Sequence, residues 1–141
     1  MTNDLFEDKI FIAILLPLMA LMAPFLVWPI EYFLPYPYLI EELVKVVFIL
    51  FILKIPGKMK QIKLAAMIGI LFSLSETILY LFNFFMTDSL SPIYLRFILT
   101  AVLHSLTMIT ILMPTFVNKK LLPLGIIIAV LIHYLYNLFI L

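Results

Sequence analysis

Glu41, Glu42 and Lys45 stand within Tyr38–Leu53, a run whose other side chains suit the interior of a lipid bilayer. An ionisable side chain in that setting costs about 2.5–3.5 kcal/mol even on insertion scales, so such groups seldom face lipid and usually mark a site. Glu76, His104, His133 and Asn137 are further polar residues in apolar surroundings. Carboxylates and imidazoles in a cavity below a membrane surface suit the activation of water for hydrolysis. A glutamate can act as general base, an imidazole can hold the water or protonate a leaving amine, and an asparagine amide can donate to a developing oxyanion. Two histidines with one glutamate also match a catalytic zinc site with an open fourth position, with Glu76, His104 and His133 as candidate ligands. The spacing is not His-Glu-x-x-His, so the pattern leaves zinc and no cofactor both open. Gly-x-Ser-x-Gly, a cysteine nucleophile and a phosphate loop are all absent.

The elements that position these residues are long and apolar. The chain has 141 residues, 66% of them hydrophobic and 12% charged, with a mean hydropathy of +1.25. A soluble domain could not cover that much apolar surface, whereas lipid accepts it. The expected class is all-α, a polytopic membrane bundle of about five transmembrane helices forming a single domain over 1–141. Continuous apolar runs without period-2 alternation argue against a transmembrane barrel. A net charge of +1 gives no electrostatic case for a nucleic-acid partner. The acidic start, Asn3-Asp4-Leu5-Phe6-Glu7-Asp8, lacks the basic region of a signal peptide, so the first apolar run is expected to be kept as a span.

The first span is expected over about 10–30, kinked by Pro17 and Pro24, which neighbouring helices tolerate in a membrane. Trp28 ends it, and Glu31 to Tyr38, where prolines alternate with tyrosines, reads as an interfacial turn. Helices follow at 38–54, 62–86, 92–113 and 121–141. The loop Lys54 to Lys63 carries four lysines, and Lys119 and Lys120 precede the last helix. By the positive-inside rule both connections are cytoplasmic. Thr87 to Pro92 is a lysine-free outer turn. The N-terminus is then cytoplasmic and the C-terminus extracytoplasmic.

At 1.5 Å per residue, Glu41 and Glu42 lie roughly 5–7 Å below the outer end of their helix. Glu76 lies ~15 Å down, His104 near mid-membrane, and His133 and Asn137 ~12 and ~6 Å down. Helices of alternating direction need not match their polar residues in height, so one outward-opening cavity accounts for them better than separate burials. Helical spacing agrees. Lys45 is i,i+4 from Glu41 and i,i+3 from Glu42, so it can neutralise one carboxylate. Ser73, Glu76, Tyr80 and Asn83 make one stripe, and Arg96, Thr100, His104 and Thr107 another.

The simpler account of Glu41, Glu42 and Lys45 is an ion pair near a helix end with one glutamate snorkelling to the headgroups. Glu76 has no basic residue one turn away on its own helix, so it must be protonated or paired between helices. A lone membrane histidine is usually an interhelical hydrogen-bonder; two at similar depth beside carboxylates favour a site. Asn137 alone reads as packing glue, and Arg96 as an anchor within reach of a site carboxylate.

Glu41-Glu42-Leu-Val-Lys45 resembles the Glu-Glu-x-x-Lys motif of the PrsW family of intramembrane proteases. Phe72-Ser-Leu-Ser-Glu76 resembles that family's Phe-x-x-x-Glu motif, and His104 and His133-Tyr-Leu-Tyr-Asn137 resemble its third and fourth. The likeness covers about 38–141, with one motif per helix in the family's order. The related CAAX-processing and bacteriocin-processing proteases are similar in the glutamate pair and the final His-x-x-x-Asn, but typically have histidine where this chain has Glu76. The resemblance implies hydrolysis of a peptide bond in a membrane-anchored protein substrate, at a glutamic-type or zinc-dependent centre in the prokaryotic plasma membrane. It also implies Glu41 or Glu42 as base, Glu76, His104 and His133 completing the centre, and Asn137 in the oxyanion role. The chain is short, so substrate-gating elements are expected to be absent or to come from a homo-oligomer.

Two other functions compete. One is a noncatalytic scaffold on the same helices, as in the distantly similar scaffold subunit of γ-secretase. The other is a proton-coupled carrier, since buried Glu and His chains also relay protons; the lack of an inverted repeat counts against it.

Overall fold

The computed structural model describes the backbone of residues 2–84 and 91–140 and the side chains of 14–82 and 93–139. Five long helices make up the bundle: α1 (Thr2–Phe33), α2 (Pro37–Ile52), α3 (Lys58–Phe84), α4 (Ser91–Leu112) and α5 (Leu122–Ile140). Two short 3-10 turns, Met113–Phe116 and Lys119–Leu121, join α4 to α5. Four of these helices, α1, α3, α4 and α5, are long and apolar enough to cross a membrane. At sixteen residues, α2 extends about 24 Å, less than a hydrocarbon core of about 30 Å. It is also the helix that brings two carboxylates and an ammonium inside. Of the outer turn expected at Thr87 to Pro92, residues 87–90 and the side chain of Asn83 lie outside the described residues, while Ser91 and Pro92 already belong to α4.

The prolines act differently along the chain. Pro17, Pro24 and Pro29 all lie inside α1, which runs on to Phe33. Glu31 therefore belongs to the last turns of α1 and not to the interfacial turn expected from the proline–tyrosine pattern. The break falls at Leu34 to Tyr36, and α2 begins at Pro37, where a missing N–H costs nothing. Gly57, at φ +97°, supplies the left-handed turn before α3 that a side chain would strain.

α3 packs most extensively on α4 and then on α1, while α4 also carries α5. Close approach is set by glycine. A Cβ on Gly69 would stand 2.5 Å from the backbone nitrogen of Ser105, and one on Gly125 would stand 2.8 Å from the carbonyl oxygen of Ile111. Small residues at such crossings give membrane helices the van der Waals contact that holds them together. Hydroxyls add ties between helices: Ser73 and Thr100 lie 2.6 Å apart, and the Ser105 hydroxyl donates to the Ala66 carbonyl at 3.1 Å. The Ser75 hydroxyl donates to the Leu21 carbonyl, fastening α3 to α1. A buried apolar cluster that includes Ile49, Ile68, Phe72, Met108 and Ile111 fills the middle. The connection before α3 and the one after α4 lie at the same end, where the Lys58 ammonium sits 5.4 Å from the centre of the Phe116 ring.

Candidate active site

Adjacent residues on a helix point about 100° apart, and α2 uses that angle to give its two glutamates different surroundings. Glu42 is fully buried. Its Oε1 accepts from Lys45 Nζ at 2.6 Å and lies 2.7 Å from His133 Nδ1. A carboxylate oxygen already serving an ammonium acts as an acceptor, so His133 donates from Nδ1. That leaves the lone pair on Nε2, which faces Oε2 of Glu41 at 3.7 Å. Lys45 also donates to the Thr107 hydroxyl at 2.8 Å, so one fully buried ammonium joins α2 to α4. Of the two spacings open to Lys45, the structure uses i,i+3.

Glu41 turns to the cavity, with its side chain 12% exposed. Its Oε2 is buried without a hydrogen-bond partner and lies 3.9 Å from His104 Nε2. The same His104 nitrogen is 2.6 Å from Oε2 of Glu76, a contact that holds one proton between ring and carboxylate. Arg96 approaches the other oxygen of Glu76 at 3.5 Å and lies 3.8 Å from the centre of the Tyr80 ring. Glu76 is thus paired across helices by both a ring and a guanidinium. The two imidazoles meet edge to face, 5.4 Å between centroids, and Phe72 supports His104 at 5.1 Å.

Four helices therefore bring Glu41, Glu42, Glu76, His104 and His133 together. Asn137 is half-buried one turn beyond His133, and among the described residues no hydrogen bond joins it to the cluster. The cavity in front of the cluster has a volume of about 130 Å³ and is lined by Glu31, Glu41, Glu76, Trp28, Phe72 and Tyr80, among others. Glu31 is the residue that sequence reasoning missed as part of the site. It lies three residues beyond Trp28 and seven beyond Pro24, on the same helical face, and that spacing was the available signal.

The donor set can be tested against a metal. One ligand atom each from Glu41, His104 and His133 lies within 4.8 Å of the others. Two imidazole nitrogens and a carboxylate oxygen form a zinc-type set with room for a fourth position. The partnerless Oε2 of Glu41 and the Nδ1 bond that orients His133 both fit such a centre. The trio contains Glu41 where the sequence pattern suggested Glu76, which instead hydrogen-bonds His104.

Comparison with curated proteins and comparison with solved structures each gave no match. A family model described as PrsW family intramembrane metalloprotease matches residues 10–141, which include every site residue named above and α1 from its ninth residue onward. With a match of that length over a buried Glu/His cluster between membrane-length helices, the chain belongs to the PrsW family of intramembrane proteases, a family of hydrolases.

Proposed function

We propose that this chain cleaves a membrane-anchored protein at the Glu41/Glu76/His104/His133 cavity, with zinc held by Glu41, His104 and His133. The observation that carries the reading is the convergence of those three donor atoms within 4.8 Å of one another, behind a cavity that Glu41 and Glu76 line. Zinc, when bound, would supply Lewis acidity for water and for the scissile carbonyl. The remaining work belongs to side chains. The Glu76 carboxylate, released from His104 when that ring holds the metal, takes the proton from water and returns it to the leaving amine. Arg96 holds that carboxylate in place. Glu42 and Lys45 fix the His133 ring so that Nε2 faces Glu41. Asn137, one turn along from His133, is the amide assigned to the oxyanion.

One observation favours a second reading. The 2.6 Å contact between Glu76 and His104 occupies the nitrogen that zinc would need. In a metal-free, glutamic-type enzyme that pair stays intact, and Glu41 Oε2 is the base.

We place the lysine-rich end, where Lys58 meets Phe116, in the cytoplasm of a prokaryotic cell, and the cavity toward the outer leaflet. The test is cleavage of a single-span reporter by purified protein in nanodiscs. Wild type cleaves, whereas Glu41→Gln, Glu76→Gln and His133→Ala fold but do not. Normal cleavage by all three variants ends the protease reading of this site. Loss of cleavage on chelation and recovery with zinc selects the metal; indifference to both selects the glutamic type.

A further inference from the structure

We infer that the seam between α1 and α2 is the path by which the substrate's transmembrane helix reaches the site, docking in an apolar groove with one end at Glu41. The inference rests on the protease reading above.

The groove has a volume of about 420 Å³, with walls that include Leu18, Met19 and Met22 of α1 and Val44, Val47 and Phe51 of α2. Both walls lead to the catalytic cavity. On α2, Glu41 is three residues before Val44 and therefore on the groove's face. On α1, the groove ends at Val27, and the next residue, Trp28, lines the cavity together with Glu31. The α1 wall, from Leu15 to Val27, is about 18 Å long, the length of a helical segment of about twelve residues.

The polar ties of α2 run to α4 and α5, away from this seam. The Glu42–His133 hydrogen bond fixes α2 to α5, and Lys45–Thr107 fixes it to α4. α1 is fastened to α3 by Ser75 and Leu21. Among the described residues no hydrogen bond or ion pair crosses from α1 to α2. On the opposite flank of α2 the Tyr38 ring lies 5.6 Å from that of Tyr134 and 6.3 Å from that of His133, beside an apolar groove of about 340 Å³ on α5 that does not reach Glu41 or Glu31. Among the described residues, opening the α1 side breaks only apolar contacts.

The groove's polar end selects a peptide over an acyl chain. Glu41 Oε2 has no hydrogen-bond partner, and among the described residues no hydrogen bond or ion pair engages the Glu31 carboxylate. A lipid tail brings no donor to these acceptors. A helix unwinding at its end brings backbone N–H groups, and a flanking lysine or arginine brings a charge. The occupant is therefore an apolar membrane helix with a basic residue at the end that enters the cavity.

The test uses a single-span peptide of about twenty leucine and alanine residues, long enough to cross a bilayer, with lysine flanks and photo-leucine throughout. It is reconstituted with Glu76→Gln protein in nanodiscs, illuminated, and the crosslinks are mapped by mass spectrometry. Crosslinks concentrated on Leu18, Met22 and Val47 are expected. Filling the groove with Met22→Trp and Val47→Trp together should cut their yield at least about tenfold, a loss near 1.4 kcal/mol. Crosslinks on Ile127 and Leu131 of α5, or spread evenly over all lipid-facing helices as for groove-bound lipid, overturn the inference. Release of the peptide's soluble end by wild-type protein is read separately. Cleavage with crosslinks elsewhere removes this docking path alone, while groove crosslinks without cleavage leave the docking in place and count against the protease reading.

Discussion

Glu42 and His133, ninety-one positions apart in the chain, share a buried hydrogen bond of 2.7 Å between Oε1 and Nδ1. That bond determines which ring nitrogen His133 offers to Glu41. Glu42→Gln keeps the shape of the side chain but can present an amide N–H₂ to Nδ1 and so release the ring's tautomer. Supporting carboxylates of this kind contribute about 10–100-fold to metal affinity or activity. Glu42→Gln should therefore reduce turnover within that range in a reporter-cleavage assay, with helicity unchanged by circular dichroism.

Lys45 answers to the same carboxylate. Lys45→Met leaves Glu42 buried without its countercharge, which destabilises by about 3–5 kcal/mol. Thermal unfolding in detergent should show a large drop for Lys45→Met. The double variant Lys45→Met/Glu42→Gln should recover much of the stability without recovering activity. Equal stability of wild type and Lys45→Met would mean that the ion pair does not hold α2 in the bundle.

Much of this arrangement is legible in the amino-acid order. Glu41, Glu42 and Lys45 are conspicuous because charges in an apolar run must find partners, and Glu76, His104 and His133 declare themselves for the same reason. Helical spacing also anticipates that the Ser73/Glu76 stripe of α3 faces the Arg96/Thr100/His104 stripe of α4, as the Ser73–Thr100 and Glu76–His104 contacts bear out. Three features resist such reading. Glu31 is hidden because proline next to tyrosine suggests a turn, whereas helix α1 continues through Pro29 to Phe33. The partnership of Glu41, not Glu76, with both imidazoles depends on rotation of α2 about its axis, which apolar periodicity does not determine when lipid and core both accept the same residues. That no hydrogen bond links Asn137 to the cluster among the described residues is likewise a matter of side-chain aim.

Gly69 tests whether helix spacing controls the site. Its missing Cβ lets α3 approach the backbone at His104 and Ser105. Gly69→Ala forces a backbone shift, and Gly69→Leu a larger one; overpacking of this kind costs about 1–3 kcal/mol. Both should lower the melting temperature in that order and reduce cleavage by moving His104 relative to Glu41. A stable, fully active Gly69→Leu would show that α3 and α4 need not approach this closely.

Glu41 and Glu76 separate when binding and proton transfer are measured apart. Glu76→Gln should lower the cleavage rate by about 10²–10⁴-fold, the range of a lost general base, while retaining zinc. Glu41→Gln should lose both zinc and cleavage. A Glu76→Gln protein depleted of metal would move Glu76 into the ligand set and leave Glu41 as the base.

Elemental analysis of the purified, nanodisc-embedded protein tests the central claim most directly. The expected result is one zinc per chain in wild type, with the metal absent from Glu41→Gln and His133→Ala at unchanged helicity. A metal-free wild-type protein that still cleaves its reporter in the presence of a chelator would contradict the zinc centre outright.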